Sequence, residues 1–268
     1  MRILITGKNG YIAKSLANNL NKHFDFTYPN FLATCGREDF DLTDREETTN
    51  FISKYGYFDV IIHTAICGGS RLKEDGDDVL SNNIKMFYNL MANAHRFGQL
   101  ISLGSGAELN WPSDPYGLSK LIIANTINSH SKLNNIRIFG VFDKNELATR
   151  FIKTCLTKYK NKQPMVIHQN KSFDFIYMDD LVTIIKFIIL NPDVKTIDCC
   201  YKENYTLREI ADYINTLDNH SCEIKVNKTD LDIPYIGHFK DYGLDLIGLK
   251  KGIKNIYNDR NIILHSNS

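Results

Sequence analysis

The sequence predicts an α/β fold built on a doubly wound parallel sheet. Short runs rich in Ile, Leu and Val alternate with helical patterns through the first half of the chain. These runs are nearly continuous in apolar residues, which is typical of strands covered on both faces. Strand, helix and strand also follow one another at the spacing of βαβ units, which connect parallel strands.

The predicted elements follow in chain order. The strands of the sheet are Ile3–Thr6, Phe31–Cys35, Val60–His63, Leu100–Leu103 and Ile136–Phe139. The helices between them are Tyr11–Asn21, Asp44–Lys54, Asp77–Arg96 and Pro115–His130. The pattern changes after Val141 to a helix at Asn145–Lys160, a strand at Met165–Ile167, a strand leading into a helix over Phe173–Leu190, and a strand at Thr196–Tyr201. We therefore expect a sheet domain at 1–142, completed by about 175–201, and a small C-terminal region formed by 143–174 and 202–268.

Length, composition and charge restrict the class of protein. A chain of 268 residues can form one large domain with a small appendage. A 43% hydrophobic and 24% charged composition excludes a disordered chain or a coiled coil. The net charge of +1 provides no general basic surplus for nucleic acid or an anionic membrane. Because no apolar run approaches the roughly 20 residues that span a bilayer, we expect a cytoplasmic protein with no membrane segment.

The cysteines and histidines do not indicate a metal site. Six cysteines are scattered without Cys-x-x-Cys spacing, and two of them, Cys199 and Cys200, are adjacent. The eight histidines show no pairing at ligand spacing. We expect reduced thiols and no bound metal.

A glycine turn after the first strand predicts a dinucleotide-binding site. Gly7, Asn9 and Gly10 lie directly after the first strand, and Tyr11 and Ile12 open the first helix. Glycine permits a tight turn close to a pyrophosphate, and the helix N-terminus offers N–H groups and a positive dipole end. A purely structural turn is the alternative, since glycines often separate a strand from a helix. The position at the start of a Rossmann-type βαβ unit favours the cofactor site.

The end of the second strand bears on which dinucleotide binds. An acidic residue there typically binds the ribose of NAD, whereas an arginine accommodates the 2′-phosphate of NADP. Arg37 favours NADP, because its planar guanidinium suits a phosphate. Glu38 could instead bind the ribose of NAD, and Arg37 could be a solvated surface residue.

Three polar residues suggest a catalytic site. Tyr116 and Lys120 lie four residues apart on a predicted helix, so that both side chains share one face. A nearby ammonium favours the phenolate and lowers the pKa of a tyrosine from about 10. Ser105 ends the fourth strand, where its hydroxyl could bind a substrate carbonyl, although a serine in a glycine-rich turn is more often structural.

Together these motifs resemble the extended short-chain dehydrogenase/reductases that act on nucleotide sugars. The resemblance implies that Tyr116 is the acid/base, that Lys120 holds the cofactor ribose and tunes Tyr116, and that Ser105 binds the carbonyl oxygen. It also implies that the sheet domain at 1–142, completed by about 175–201, binds the dinucleotide and that the small region at 143–174 and 202–268 binds the substrate. A homodimer formed through two helices per subunit is implied as well. The remaining implied cofactor ligands are Asp41, Leu42, Thr64, Ala65, Asn83, Phe139 and Val141. The remaining implied substrate ligands are Gly68, Gly106 and Lys153.

Several stretches look closest to 4-ketoreductases of the GDP-L-fucose synthase type. The quoted stretches are 36–44, 64–69 and 103–105. That enzyme also epimerises its substrate with a cysteine and a histidine, and Ala107 and Glu146 stand at or near those positions here. The resemblance therefore implies an NADPH-dependent 4-ketoreductase of a nucleotide-linked 4-keto-6-deoxyhexose without 3,5-epimerase activity, with NADP as cofactor and NAD as the alternative.

Three other functions are alternatives to this reductase: a dehydratase, a 4-epimerase and a regulatory protein. Dehydratases of this family carry an Asp-Glu pair where Gly106 and Ala107 stand, and Glu108 comes one residue too late. A 4-epimerase keeps the same Ser, Tyr and Lys and retains NAD. A third alternative is a decayed, cofactor-binding regulatory protein.

Two departures from the family concern the sugar site. Only ten residues separate Ser105 from Tyr116, which implies that a loop bordering the sugar site is missing. Phe173 replaces an arginine that grips the diphosphate in the family. Lys153, Arg150 or Lys171 could bind the diphosphate instead. We nevertheless expect each of them to be a solvated charge at the surface, as most charged side chains are. A helical stripe of Phe87, Leu90, Met91 and Ala94 predicts a core face or a dimer contact.

Overall fold

The computed structural model describes residues 1–23, 30–69, 74–228 and 232–259. The chain divides into two compact units. The first comprises 1–137 and 184–197, and the second comprises 138–183 and 198–268. The assignment of a cofactor domain and a substrate domain to these parts of the chain stays a prediction.

A six-stranded, mostly parallel sheet forms the centre of the first unit, which confirms the predicted fold class. Its strands are β1 (Arg2–Thr6), β2 (Phe31–Cys35), β3 (Phe58–His63), β4 (Phe97–Ser105), β5 (Leu133–Ile138) and β9 (Thr196–Cys199). The order is β2-β1-β3-β4-β5-β9, and β1 pairs in parallel with both β2 and β3. Strand order reverses at β1, so the carboxyl ends of β1 and β3 flank the topological switch point, where doubly wound sheets bind ligands.

Helices cover the faces of this sheet. They are α1 (Tyr11–His23), α2 (Arg45–Tyr55), α3 (Asp78–Met91), the short α4 (Ala107–Asn110) and α5 (Pro115–Asn128), with one turn of 3₁₀ helix at Ala94–Arg96. The start of α5 is encoded locally: the carboxylate of Asp114 accepts a hydrogen bond from the N–H of Tyr116 at 2.9 Å, and Pro115 lies in the first turn. These signals fix where the helix carrying Tyr116 begins.

The second unit has its own hydrophobic core. Its elements are β6 (Val141–Phe142), α6 (Phe151–Lys160), β7 (Met165–Gln169), β8 (Ile176–Tyr177), α8 (Leu207–Ile214), β10 (Ile224–Lys228) and α9 (Leu249–Asn258), and α7 (Met178–Leu190) has residues in both units. Strands β7 and β10 pair in parallel, as do β6 and β8. Asp180 is buried and accepts hydrogen bonds from Ile247 N, Gly248 N and the Tyr201 hydroxyl. These bonds hold a segment that lacks regular structure.

Several elements differ from the sequence predictions, and α4, β10 and α9 were not predicted. The predicted helix at Asn145–Lys160 begins only at Phe151, because Asp143 instead organises a turn by accepting from Asn145 N at 2.7 Å. The predicted helix at Asp77–Arg96 ends at Met91. Helix α8 was not predicted, although Thr206 and Glu209 form a capping box at its start.

Two further observations concern partners. Phe87 and Leu90 of the apolar stripe are fully buried in the core of the first unit, whereas Met91 and Ala94 are half-buried against that core. The homodimer stays a prediction. Within the described ranges, no helix has the length and apolar character needed to cross a membrane.

Candidate active site

The glycine turn lies at the switch point of the sheet. Gly7 has a φ of +75°, and a Cβ atom on it would lie 2.8 Å from both the N and Cα atoms of Ala65. The N–H of Gly10 donates to the carbonyl of Gly7 at 2.8 Å and closes the turn. Only glycine combines this backbone conformation with so close an approach to the end of β3.

A buried polar network supports this turn from below. The hydroxyl of Thr6 lies 2.9 Å from Nδ1 of His63 and accepts hydrogen bonds from the N–H groups of Thr64 and Ala65, each at 3.2 Å. The Thr64 hydroxyl donates to the Thr6 carbonyl at 2.6 Å. Burial, with a contribution from the charge of Lys120, lowers the pKa of His63 to about 3, so its imidazole is neutral. The predicted ligands Thr64 and Ala65 are thus held in place by Thr6, a residue that the sequence analysis did not single out.

The turn fits the pyrophosphate of a dinucleotide. The N–H of Lys14 donates to the Gly10 carbonyl at 3.1 Å, so α1 starts directly at the turn. The first-turn amides of the helix, including those of the half-buried Tyr11 and Ile12, therefore point toward the switch point with the positive end of the dipole. An anionic group at this place would meet a backbone cradle with no side chain on Gly7.

The end of β2 carries a cluster of charges against the glycine turn. Nζ of Lys8 lies 3.2 Å from Glu38 and 2.7 Å from Asp39, and the amide of Asn9 donates to both Glu38 oxygens at 3.0 Å. The hydrogen bond from Lys8 lowers the pKa of the Asp39 carboxyl. Arg37 is exposed beside this cluster. The cluster contains two carboxylates and the ammonium of Lys8, and Arg37 adds a second cation next to it. These groups suit contacts with either a ribose hydroxyl or a phosphate.

Three other predicted cofactor ligands make contacts within the fold. Asp41 Oδ1 accepts from both the N–H and the hydroxyl of Thr43, each at 2.8 Å. The carbonyl of Leu42 accepts from the Asn89 amide at 2.8 Å. Asn83 is buried, accepts from Cys67 N at 2.8 Å, and donates to the Cys67 carbonyl at 3.0 Å and to the Ser119 hydroxyl at 3.1 Å. Asn83 therefore anchors the loop after β3 to α5, and direct cofactor contacts from these three residues stay predictions.

The structure brings Tyr116 and Lys120 together. Both lie on α5, and Nζ of Lys120 is 5.8 Å from the centre of the Tyr116 ring. Lys120 is 7% exposed, and its ammonium donates to the Leu103 carbonyl at 2.5 Å. Burial lowers the pKa of Lys120 to about 8, and the charge of Glu108 opposes this shift. Lys120 is consequently a cation at neutral pH, held beside a phenol.

Ser105 lies two residues beyond the carbonyl that binds Lys120. It ends β4, is buried, and its Oγ accepts from the N–H of Ala107 at 3.2 Å. Gly106 is the residue before α4. Ser105 and Lys120 are therefore both fixed to the same end of β4, the strand that pairs with β3.

The loop after β3 packs on Tyr116. A Cβ atom on Gly69 would lie 2.8 Å from Cε2 of Tyr116, and the Gly69 N–H donates to Asp75 at 2.9 Å. Gly68, a predicted substrate ligand, belongs to the same loop. The sequence analysis did not assign Gly69, although the Gly-Gly pair was a signal that a backbone approaches another group closely at this place.

The remaining predicted ligands lie in the second unit. Phe139 is 5% exposed and packs edge-on against Tyr235 at 5.3 Å between ring centres, and Val141 is half-buried in β6. Lys153 is 6% exposed and donates to the Lys144 carbonyl at 2.7 Å. The expectation that Lys153 is a solvated surface charge is therefore wrong.

The two alternatives to Lys153 differ from it. Arg150 is exposed, and Lys171 pairs with Asp232 at 3.5 Å. In the part of the chain that the structure describes, no group of three or more His, Cys, Asp or Glu side chains could hold a metal ion.

The sequence of this chain is similar to a known family and to a characterised enzyme. A family model described as the NAD dependent epimerase/dehydratase family matches residues 3–199. CDP-abequose synthase of Yersinia pseudotuberculosis is 21% identical over 255 residues, covering 84% of this chain and 87% of that protein.

Two solved structures share the fold. The NADP-bound GDP-mannoheptose C4 reductase of Campylobacter jejuni has a TM-score of 0.75 at 18% identity, with 96% of each chain covered. The NADP-bound GDP-L-fucose synthetase of Naegleria fowleri has a TM-score of 0.73 at 15% identity, with 96% of this chain and 92% of that chain covered.

Proposed function

Because this chain belongs to the NAD dependent epimerase/dehydratase family, we propose that it is an NADPH-dependent 4-ketoreductase of a nucleotide-linked 4-keto-6-deoxyhexose, without 3,5-epimerase activity. The observation that carries the proposal is the Tyr116–Lys120 pair on α5. Lys120 is bound to the carbonyl of Leu103, two residues before Ser105, and the unit that contains this pair also contains the glycine turn.

Each residue of the site has a distinct role in the proposed reaction. A bound NADPH supplies the hydride that reduces the carbonyl carbon. The Tyr116 hydroxyl donates its proton to the carbonyl oxygen, and the Ser105 hydroxyl donates a hydrogen bond to the same oxygen. The Lys120 ammonium, 5.8 Å from the Tyr116 ring, favours the phenolate that remains after the proton has left.

The buried environment of Lys120 strengthens this effect. Lys120 is a buried residue, and a buried charge is screened much less by water than one at the surface. The carbonyl of Leu103 fixes Nζ, so that the ammonium is oriented before substrate binds. The chain therefore contributes position and electrostatics to the proton transfer.

Names of the similar proteins support the substrate class. CDP-abequose synthase, the GDP-mannoheptose C4 reductase and the GDP-L-fucose synthetase are all named for a nucleotide-linked sugar, and the second for reduction at carbon 4. Both solved structures hold NADP. With the exposed Arg37 at the end of β2, these names support NADP as the cofactor, with NAD as the alternative.

We propose the absence of 3,5-epimerase activity because of Ala107. Removal and return of a proton at a sugar carbon require titratable groups near that carbon. Ala107, which stands where the GDP-L-fucose synthase type carries a cysteine, has a methyl side chain that cannot take up a proton.

Oxidation of NADPH with a panel of nucleotide-linked 4-keto-6-deoxy sugars tests the proposal. Tyr116→Phe should lower kcat by about 10²–10⁴-fold while NADPH still binds, because only the proton donor is removed. Tyr57→Phe, a matched change at an exposed tyrosine, should leave kcat unchanged. No NADPH oxidation by the unaltered protein, or full turnover in Tyr116→Phe, would contradict the proposal.

The family description also favours a second candidate, a nucleotide-sugar 4-epimerase or dehydratase that recycles NAD. Such an enzyme would purify with stoichiometric NAD and convert a nucleotide sugar without net consumption of NADPH. Binding of NADP(H) without turnover of any nucleotide sugar would instead favour a regulatory protein. The same panel of substrates, followed by product analysis, separates these outcomes.

A further inference from the structure

A short helical connection joins Ser105 to α5. After Ser105, Gly106 precedes α4 (Ala107–Asn110), and the N–H of Trp111 donates to the Ala107 carbonyl at 2.8 Å. Gly117 of α5 lies directly against the Trp111 carbonyl, where a Cβ atom would clash. The missing loop is thus replaced by a tight turn whose backbone rests on the helix that carries Tyr116 and Lys120.

A buried carboxylate fastens this turn to the sheet. Glu108 is 3% exposed and forms an ion pair with Nε of Arg137, whose side chain is partly exposed. The amide of Asn135 donates to its two oxygens at 3.1 and 3.4 Å. Asn135 and Arg137 are two residues apart on β5, so both side chains lie on the same face of that strand. Burial raises the pKa of Glu108, and the charge and hydrogen bond of Arg137 oppose this shift. Donation from a guanidinium and from an amide N–H is the arrangement that stabilises an ionised carboxylate.

The turn that carries Glu108 packs on the face of α5 that also carries Lys120. Gly117, which lies against the carbonyls of Trp111 and Ala107, is three residues before Lys120 on that helix. Three titratable side chains from three elements of the described structure are near enough to Lys120 to interact with its charge: His63 of β3, Glu108 of α4 and Tyr116 of α5. His63 is neutral, since burial lowers its pKa to about 3. Glu108 is therefore the acidic group among these three that favours the protonated form of Lys120.

We propose that Glu108 is a positioning residue that keeps Lys120 protonated, held for this task by Arg137 and Asn135. The inference rests on the proposed function, because it assigns to Lys120 the cation that assists Tyr116. A carboxylate in this turn does not take the role of the dehydratase acid pair, since both of its oxygens are bound to β5. Its negative charge reaches Lys120 through the protein interior, where interactions between charges are weakly screened.

Titration of Lys120 tests this inference without requiring turnover. The full-length protein is labelled with [ε-¹³C]lysine and titrated by NMR with and without NADP, and the Lys120 signal is assigned by its absence in Lys120→Arg. In Glu108→Gln, which keeps a hydrogen-bond acceptor for Arg137, the Lys120 midpoint should fall by about one pH unit, the size expected for losing one partly screened charge. The alkaline limb of the kcat/KM profile should move in the same direction.

Two further variants make the result decisive. Glu108→Asp keeps the charge and should keep the Lys120 midpoint, even if the shorter side chain lowers thermal stability. Asp212→Asn neutralises an exposed acid paired with Arg208 and should also leave the midpoint unchanged. Equal midpoints in Glu108→Gln and Asp212→Asn would overturn the inference. Failure of the proposed function is distinguishable, because it would abolish NADPH oxidation in the unaltered protein without changing these titrations.

Discussion

Replacement of Gly7 by alanine tests the glycine turn most sharply. Residue 7 has a φ of +75°, and alanine in a left-handed conformation costs about 1–2 kcal/mol. Its Cβ would also lie 2.8 Å from N and Cα of Ala65, and forcing an extra group into a packed site costs about 1–3 kcal/mol more. We therefore expect Gly7→Ala to lower the free energy of unfolding by about 2–5 kcal/mol.

Gly243 provides a matched control. Its φ is +67°, and a Cβ atom there would meet nothing within 4 Å. Gly243→Ala should therefore cost only the conformational part, about 1–2 kcal/mol.

Urea denaturation measures both variants, and NADPH fluorescence titration measures cofactor affinity. Because Gly7→Ala displaces the turn against the end of β3, NADPH affinity should fall at least about tenfold, which corresponds to 1.4 kcal/mol. It should be unchanged in Gly243→Ala. Equal stability and equal NADPH affinity in the two variants would refute the close approach of Gly7 to Ala65 as the reason for glycine.

Two further predictions concern cofactor choice and pH. Arg37→Ala should raise the KM for NADPH about tenfold or more and change the KM for NADH little. Arg208→Ala, the control, should change neither KM. Steady-state kinetics with both cofactors measure these values. Burial raises the pKa of Glu146 to about 8. Between about pH 4.5 and 8 the folded chain therefore retains a proton that the unfolded chain has lost. Because of this difference, the free energy of unfolding falls as pH rises through that range. Urea denaturation of Glu146→Gln should show no such pH dependence. At pH 8 this variant should be more stable than the unaltered protein by a few kcal/mol, because each pKa unit corresponds to about 1.4 kcal/mol. Exposed Glu46→Gln is the control, and an unchanged pH dependence in Glu146→Gln would contradict the assigned burial.

The first half of the fold could be predicted from the sequence because its signals are local. Apolar runs identify buried strands, and Asp114 with Pro115 marks the start of α5 within a residue. The glycine turn, Tyr116 and Lys120 were found for the same reason, since each belongs to a short motif attached to a strand or helix terminus.

Other parts of the site depend on contacts between distant residues. The pairing of Glu108 with Arg137 and that of Thr6 with His63 join residues 29 and 57 positions apart, and no local pattern indicates either. The burial of Lys153 likewise follows from the fold of residues 143–153 around Asp143 and not from its own charge. Side-chain partners of this kind are set by tertiary structure, which propensities do not encode.

The capping box of α8 shows a different limit. Thr206 and Glu209 form a clear signal for the start of a helix. The helix that follows has only eight residues, and the surrounding sequence is polar and weakly periodic. A helix of eight residues obtains most of its stability from packing, here through Ile210, Ala211 and Ile214 in the core of the second unit.

In the reaction that we propose, hydride passes from NADPH to carbon 4 of a nucleotide-linked sugar. Its most direct test is the reaction of the purified protein with a 4-keto-6-deoxy sugar nucleotide and NADPH carrying deuterium at the transferable position, in ordinary water, followed by NMR and mass spectrometry of the product. We predict one deuterium in the product, located at carbon 4, for each NADPH oxidised. A product without deuterium, or conversion of the sugar without oxidation of NADPH, would contradict the claim.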